Sequence, residues 1–185
     1  DQDKLRRLAA QHPQSSWDAH CDVTDPQAVD ELYGAIKDRF GRLDVIFNNA
    51  GVSLPATEIG DLSWENWRKV VSVNLDGAFL MARGAFRLMR EQSPKGGRII
   101  NNGSISAHVP RIGSAAYTAS KTAITGLTRT ISLDGRKHDI ACGQIDIGNA
   151  TSDMTEAMEK GVPQADGSLR PEPTMDLSHV ADAVV

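Results

Sequence analysis

Tyr117 and Lys121 stand four residues apart, and Ser104 lies thirteen residues before the tyrosine. In the run Ser114-Ala115-Ala116-Tyr117-Thr118-Ala119-Ser120-Lys121, Ser114 is expected to cap the start of a helix. Residues i and i+4 share one helix face, so the ammonium would stand beside the phenol. A nearby cation favours the phenolate and lowers its pKa from about 10. A tyrosine tuned in this way exchanges a proton with an alcohol or carbonyl oxygen near neutral pH. Ser104 could hydrogen-bond the same oxygen. The spacing alone also arises by chance on many helices, so its weight depends on the surrounding elements.

Those elements alternate. Residues 3–11 read as a helix, with Leu5 and Leu8 three apart. Trp17, Ala19, Cys21 and Val23 alternate with polar residues, as in a strand. Asp25-Pro26 opens a helix to Phe40, stopped by Gly41. Leu43–Phe47 reads as a buried strand. One long helix is expected over 63–90, then a strand beginning at Ile99 and Ile100 and ending at Ser104. The Tyr117 helix runs to Asp134 with Gly135 as its stop, and 139–147 makes a further strand. Residues 151–176 read as a helix followed by a mobile loop, and a last helix starts at Leu177. This order predicts an α/β fold, a doubly wound, Rossmann-like parallel sheet in a single domain over 1–185. Such sheets bind ligands at the carboxyl ends of their strands. Asp22, Asn48 and Ser104 each end a predicted strand, so they are expected along one edge.

The motifs Asp22-Val23, Asn48-Asn49-Ala50-Gly51, Asn74, Ser104 and Tyr117-Thr118-Ala119-Ser120-Lys121 occur in this order over most of the chain. Together they resemble the short-chain dehydrogenase/reductase family. The resemblance implies an oxidoreductase that uses NAD or NADP on a small carbonyl or alcohol substrate. It implies a catalytic set of Asn74, Ser104, Tyr117 and Lys121. Tyr117 would be the general acid/base, and Ser104 would polarise the substrate oxygen. Lys121 would tune the phenol and hold the nicotinamide ribose, and Asn74 would hold a proton-relaying water. For the cofactor it implies Asp22 and Val23 at the adenine, Asn48, Ala50 and Gly51 beside a ribose, Tyr117 and Lys121 again, and Gly148, Ala150 and Ser152 after the last strand. It also implies a homodimer or homotetramer built on the helices at 63–90 and 114–134, where Ala115, Ala116, Ala119, Ala123 and Gly126 allow close approach. Two other readings stay open, a non-catalytic dimerising scaffold and an epimerase or dehydratase of the related extended group.

Two departures stand beside the resemblance. The family opens with a strand, a glycine-rich turn and a helix that receive the pyrophosphate, and no such unit precedes Asp1. The chain is therefore expected to be incomplete at its N-terminus, and at its C-terminus, where it stops inside a predicted helix. As written it should bind a dinucleotide poorly. Ile147 stands before Gly148 where the family usually has proline.

The formal net charge of −4 argues against nucleic acid as a main partner. No apolar run approaches the ~20 residues of a membrane span. Cys21, Cys142 and the histidines lack metal-ligand spacing, so no metal is expected, and a reducing cytoplasm fits. His108 lies close to the Ser104 loop. Met154, Met158 and Val162 fall in the segment that would shape a substrate pocket.

Overall fold

The computed structural model describes residues 2–13, 15–152, 155, 158 and 160–185. Helix α1 spans Gln2–Gln11 and α2 spans Pro26–Phe40. The Asp25 carboxylate accepts the Gln27 N–H, Pro26 begins the first turn, and Gly41 closes the helix at φ 73°. That left-handed closure is why a glycine stands there.

Strands β1 (Val45–Asn48), β2 (Gly97–Asn102) and β3 (Ile140–Ile145) form a parallel sheet in the order β1-β2-β3. The register aligns Ile46, Ile99 and Cys142 on one face. Helices α2 and α4 (Ala78–Glu91) deliver Val29, Tyr33, Leu80, Ala85 and Met89 against it. Ile99 and Met89 are fully buried in this core, each worth about 1.5–3 kcal/mol of hydrophobic burial. Helix α5 (Ala115–Gly135) packs against β3. The Rossmann-like α/β arrangement read from the element order is present.

Four details differ from the sequence reading. The alternating segment 17–23 makes no ladder, because no strand among the described residues lies hydrogen-bonded beside it; Cys21 still packs on the core. The helix expected as one piece over 63–90 is three: α3 (Trp64–Val71), a π-helical insertion (Ser72–Gly77) and α4. The wide turn falls at Asn74. Such insertions are frequent at functional sites. Gly135 does not act as a left-handed stop. The chain passes into a short 3-10 turn (Arg136–His138), and Asp139 takes the left-handed conformation at φ 59°. Gly135 is required for closeness instead, since a Cβ there would lie 2.3 Å from the Ile140 carbonyl oxygen.

The fourth difference lies in 151–176. In place of an irregular loop, β4 (Val162–Pro163) and β5 (Leu169–Arg170) pair as a short antiparallel hairpin turning at Gly167. Residues 153, 154, 156, 157 and 159, Met154 included, lie outside the described residues, as does the Leu8 side chain. Helix α6 (Leu177–Val184) follows, capped by Asp176. Among the described residues, no helix is long and apolar enough to cross a membrane.

Candidate active site

Ser104 follows the last residues of β2 in extended backbone and is buried. Its hydroxyl accepts the Ser106 N–H at 3.1 Å, which starts the 3-10 turn Ile105–Ala107. Its own N–H donates to Asp146 Oδ1 at 3.0 Å. The serine is thus fixed at the carboxyl end of the sheet from two directions.

Tyr117 lies in the first turn of α5. The expected Ser114 cap is not made. Ser114 Oγ donates to the Arg111 carbonyl at 2.6 Å and pairs with Thr118 Oγ1 at 2.8 Å. The loop geometry around Arg111 outcompetes the cap for the same hydroxyl. Tyr117 and Ser104 line the same cavity.

Lys121 stands one turn on, 4% exposed. Its Nζ donates to the Asn102 carbonyl at 2.7 Å and lies 5.8 Å from the Tyr117 ring centroid. The electrostatics depart from expectation. Burial pushes the Tyr117 phenol above its ordinary value, while the Ser104 hydroxyl and the Arg111 charge pull it back. Burial also drives the Lys121 ammonium down to about 8, opposed by the Asp146 carboxylate. Desolvation of both partners outweighs the simple cation effect read from the spacing.

Asn74, at the π insertion, is 1% exposed. Its Oδ1 accepts the Val52 N–H at 2.8 Å, and its Nδ2 donates to the Val52 carbonyl at 3.0 Å and to Ser120 Oγ at 3.2 Å. Ser120 is the neighbour of Lys121, so Asn74 ties the turn after β1 to the helix bearing Tyr117 and Lys121. A Cβ on Gly51 would lie 3.5 Å from Asn74 Oδ1 and 3.8 Å from Lys121 Nζ. Gly51, Asn74 and Lys121 therefore converge.

The remaining residues implied for a cofactor divide. Ala50 is exposed beside Gly51. Asn48 is buried, with its amide spent on the Ala78 carbonyl at 2.8 Å and on Asn101 Oδ1 at 3.2 Å, so its side chain serves the scaffold. Asp22 folds its carboxylate onto Thr24, accepting from the backbone N–H and the hydroxyl. Val23 packs where a Cβ on Gly77 would fall, 2.8 Å from Val23 Cγ2. Gly148 lines the cavity described below. Ala150 is instead buried beside Met175, and Ser152 is exposed in the turn with Thr155. Neither of these two lines the cavity.

Ser104 and Tyr117 open onto a cavity of about 410 Å³ with an apolar wall including Leu54, Leu62, Ile105, Ile112, Met158 and Val162. Its polar end holds two residues that the motifs did not single out, Arg111 and Asn149. Arg111 donates to Glu172 Oε2 and, at 3.1 Å, to Asn149 Oδ1. Asn149, Gln164 and Arg111 hold the Glu172 carboxyl below its ordinary value. An arginine alone in the apolar stretch Val109-Pro110-Arg111-Ile112 was the available signal. Asp146 was also missed. A carboxylate interrupting an apolar strand end could have revealed it.

The family model described as short chain dehydrogenase matches residues 1–163. The chain belongs to this family. It is 34% identical over 136 residues to a 3beta-hydroxysteroid dehydrogenase of Mediterraneibacter gnavus, covering 74% of this chain and 48% of that protein. It is 34% identical over 152 residues to the 3-oxoacyl-[acyl-carrier-protein] reductase MabA of Mycobacterium tuberculosis, covering 82% of this chain and 60% of that protein. The chain thus spans about half to three fifths of these relatives. The fold superposes on a Brucella melitensis 3-ketoacyl-(acyl-carrier-protein) reductase complexed with NADH, at a TM-score of 0.86 and 20% identity, over 99% of this chain and 75% of that one. A short chain dehydrogenase from Mycobacterium smegmatis gives a TM-score of 0.73 at 29% identity, over 80% of this chain and 61% of that one.

Proposed function

We propose that this chain carries the proton-transfer and substrate side of an NAD(P)-dependent oxidoreductase acting on a carbonyl or alcohol carbon. The observation that carries the proposal is that Tyr117 and Ser104 line the same largely apolar cavity, with Lys121 one helical turn beyond the tyrosine. A substrate oxygen there would meet two hydroxyl donors. Tyr117 gives it a proton on reduction and removes one on oxidation. Ser104 steadies the charge that develops on it, its own position held by Ser106 and Asp146. The apolar wall excludes water and takes the substrate's hydrocarbon body. The activities of the hydroxysteroid dehydrogenase and 3-oxoacyl-[acyl-carrier-protein] reductase relatives agree with a ketone or secondary alcohol as substrate.

The residues fit a nicotinamide cofactor. Lys121 spends one N–H on Asn102 although it carries three, and it is buried facing Gly51, where the missing side chain leaves room. Ribose hydroxyls are natural acceptors for the others. Lys121, Gly51 and Ala50 would hold the ribose, and Gly148 the nicotinamide side. The cofactor, when bound, supplies the hydride. Its arrival would place the Lys121 charge among polar partners and so favour the ammonium. Asn74 keeps the Gly51 turn and the Lys121 helix in one register.

The same reading includes a homo-oligomer through α4 and α5, and a cytoplasmic setting, in keeping with the free thiols of Cys21 and Cys142. The test is Tyr117→Phe in the full-length protein, with cofactor titration beside steady-state kinetics on a ketone or alcohol that turns over. The ring and its packing remain and the exchangeable proton is lost. Cofactor affinity should stay near normal and turnover should fall at least ~10²-fold. Near-normal turnover would mean that another group moves the proton and would overturn the role given to Tyr117.

A further inference from the structure

Strand β3 runs into Ile145-Asp146-Ile147, a carboxylate between two apolar residues. Asp146 Oδ1 accepts the Ser104 N–H at 3.0 Å and a side-chain N–H of Gln144, while Oδ2 meets His108 Nε2 at 3.0 Å. Gln144 is itself tied to Thr125 of α5 at 3.0 Å. Gly103 makes the room: a Cβ there would lie 2.1 Å from Asp146 Oδ1. The carboxylate is therefore fixed by β2, β3 and the 3-10 turn, with the exposed His108 on its outer side.

We propose that Asp146 is a positioning residue of the active site, fixing the Ser104 backbone and supplying the counter-charge to the buried Lys121 ammonium. This rests on the roles given above to Ser104, Tyr117 and Lys121. The groups around Lys121 leave few alternatives. Its own helix offers the Tyr117 ring, β2 offers the neutral Asn102 carbonyl, the π insertion offers the neutral Asn74 amide, and the turn after β1 offers Gly51. Arg111 acts on Tyr117. Asp146 Oδ1 sits against Gly103, the residue that follows the Asn102 carbonyl holding Lys121 Nζ, and from there its charge opposes the desolvation of Lys121. Its own charge is secure: burial alone would raise the carboxyl, but His108, Gln144 and the Ser104 N–H hold it below its ordinary value. An anion held this firmly offsets part of the cost of burying the cation.

The test is Asp146→Asn in the full-length protein. The amide keeps the shape and an acceptor for the Ser104 N–H, while the charge and the second acceptor, which faces His108, are lost. Lysine labelled with 13C at Cε reports the protonation midpoint of Lys121 by NMR, with its resonance assigned by loss in Lys121→Met. The midpoint should fall by at least ~0.5 unit, and the alkaline limb of the kcat profile should move down with it, about twofold in rate at the pH of the original midpoint. Asp146→Ala removes the Ser104 acceptor as well and should lower kcat further. Asp146→Ser serves the same comparison should the amide variant not fold. An unmoved Lys121 midpoint overturns the proposal, as does a moved midpoint with an unmoved kcat profile. A protein with no cofactor-dependent turnover whose Lys121 midpoint still shifts would overturn the functional reading and leave the Asp146–Lys121 coupling standing.

Discussion

The Asn74 side chain takes both backbone polar groups of Val52, accepting the N–H at 2.8 Å and donating to the carbonyl at 3.0 Å. One amide thus does for the turn after β1 what a neighbouring strand would do. The π insertion brings Asn74 to that turn, and its third bond, to Ser120, extends the tie to the helix bearing Tyr117 and Lys121.

Asn74→Ala should therefore destabilise the fold by about 2 kcal/mol, the scale of buried polar groups left without partners. It should also weaken cofactor binding, because Gly51 and Lys121 lose their common anchor. Urea unfolding and cofactor titration check the two effects. An unchanged unfolding midpoint would mean that the turn is held by something other than this amide.

Lys121 gives the stability a pH dependence of defined sign. Its folded value of about 8 lies below the ordinary 10.5. Between these values the unfolded chain holds more protons, so this group makes stability rise with pH. Below pH 8 both states are protonated and the contribution is flat. Cys142 works the other way: burial raises its thiol from 9.0 to about 11, so stability is lost as pH climbs above 9. The rise should show between pH 8 and 9 and amount to about 1 kcal/mol. Chemical unfolding of the unmutated protein and of Lys121→Met, measured across that unit, isolates it. Parallel curves for the two would remove Lys121 as the source.

Gly84 exists to admit Tyr33. A Cβ on Gly84 would lie 2.2 Å from the Tyr33 ring, and that ring is pinned by its hydroxyl to the Met81 carbonyl at 2.7 Å. Gly84→Ala should cost ~1–3 kcal/mol through overpacking, despite the better helix propensity of alanine. Tyr33→Ala removes the obstacle, so the double variant should lose less than the sum of the two single ones. Additive losses would show that the two positions do not meet.

The outer face of α4 and α5 carries Phe79, 47% exposed, next to the half-buried Phe86, Leu127 and Ile131. Apolar groups gathered on one face favour a second apolar surface over water. Gly126 has open space over its Cα, which permits close approach. Sedimentation of the full-length protein should report a dimer or tetramer at micromolar concentration, and Phe79→Glu with Ile131→Glu should shift it to monomer. A monomer before mutation would count against this interface.

The sequence alone determined the local rules. Asp25-Pro26 and Gly41 marked the ends of α2 because cap chemistry is decided within a few residues. The apolar strands and their order determined a parallel α/β sheet, and Tyr117 and Lys121 share a helix face because that spacing is set by helix geometry. What depended on residues far apart in the chain was decided by the tertiary structure. Whether 17–23 forms a ladder depends on a neighbour, not on its own alternation. The π insertion at Asn74 reflects bonds to Val52 and Ser120, 22 and 46 residues away. Ala150 pairs with Met175, 25 residues on, and Asp146 reaches Ser104 from 42 residues downstream. The protonation of Tyr117 and Lys121 belongs to this second group. Spacing supplied the attraction between phenol and ammonium, but desolvation is a property of everything packed around them, and here it is the larger effect.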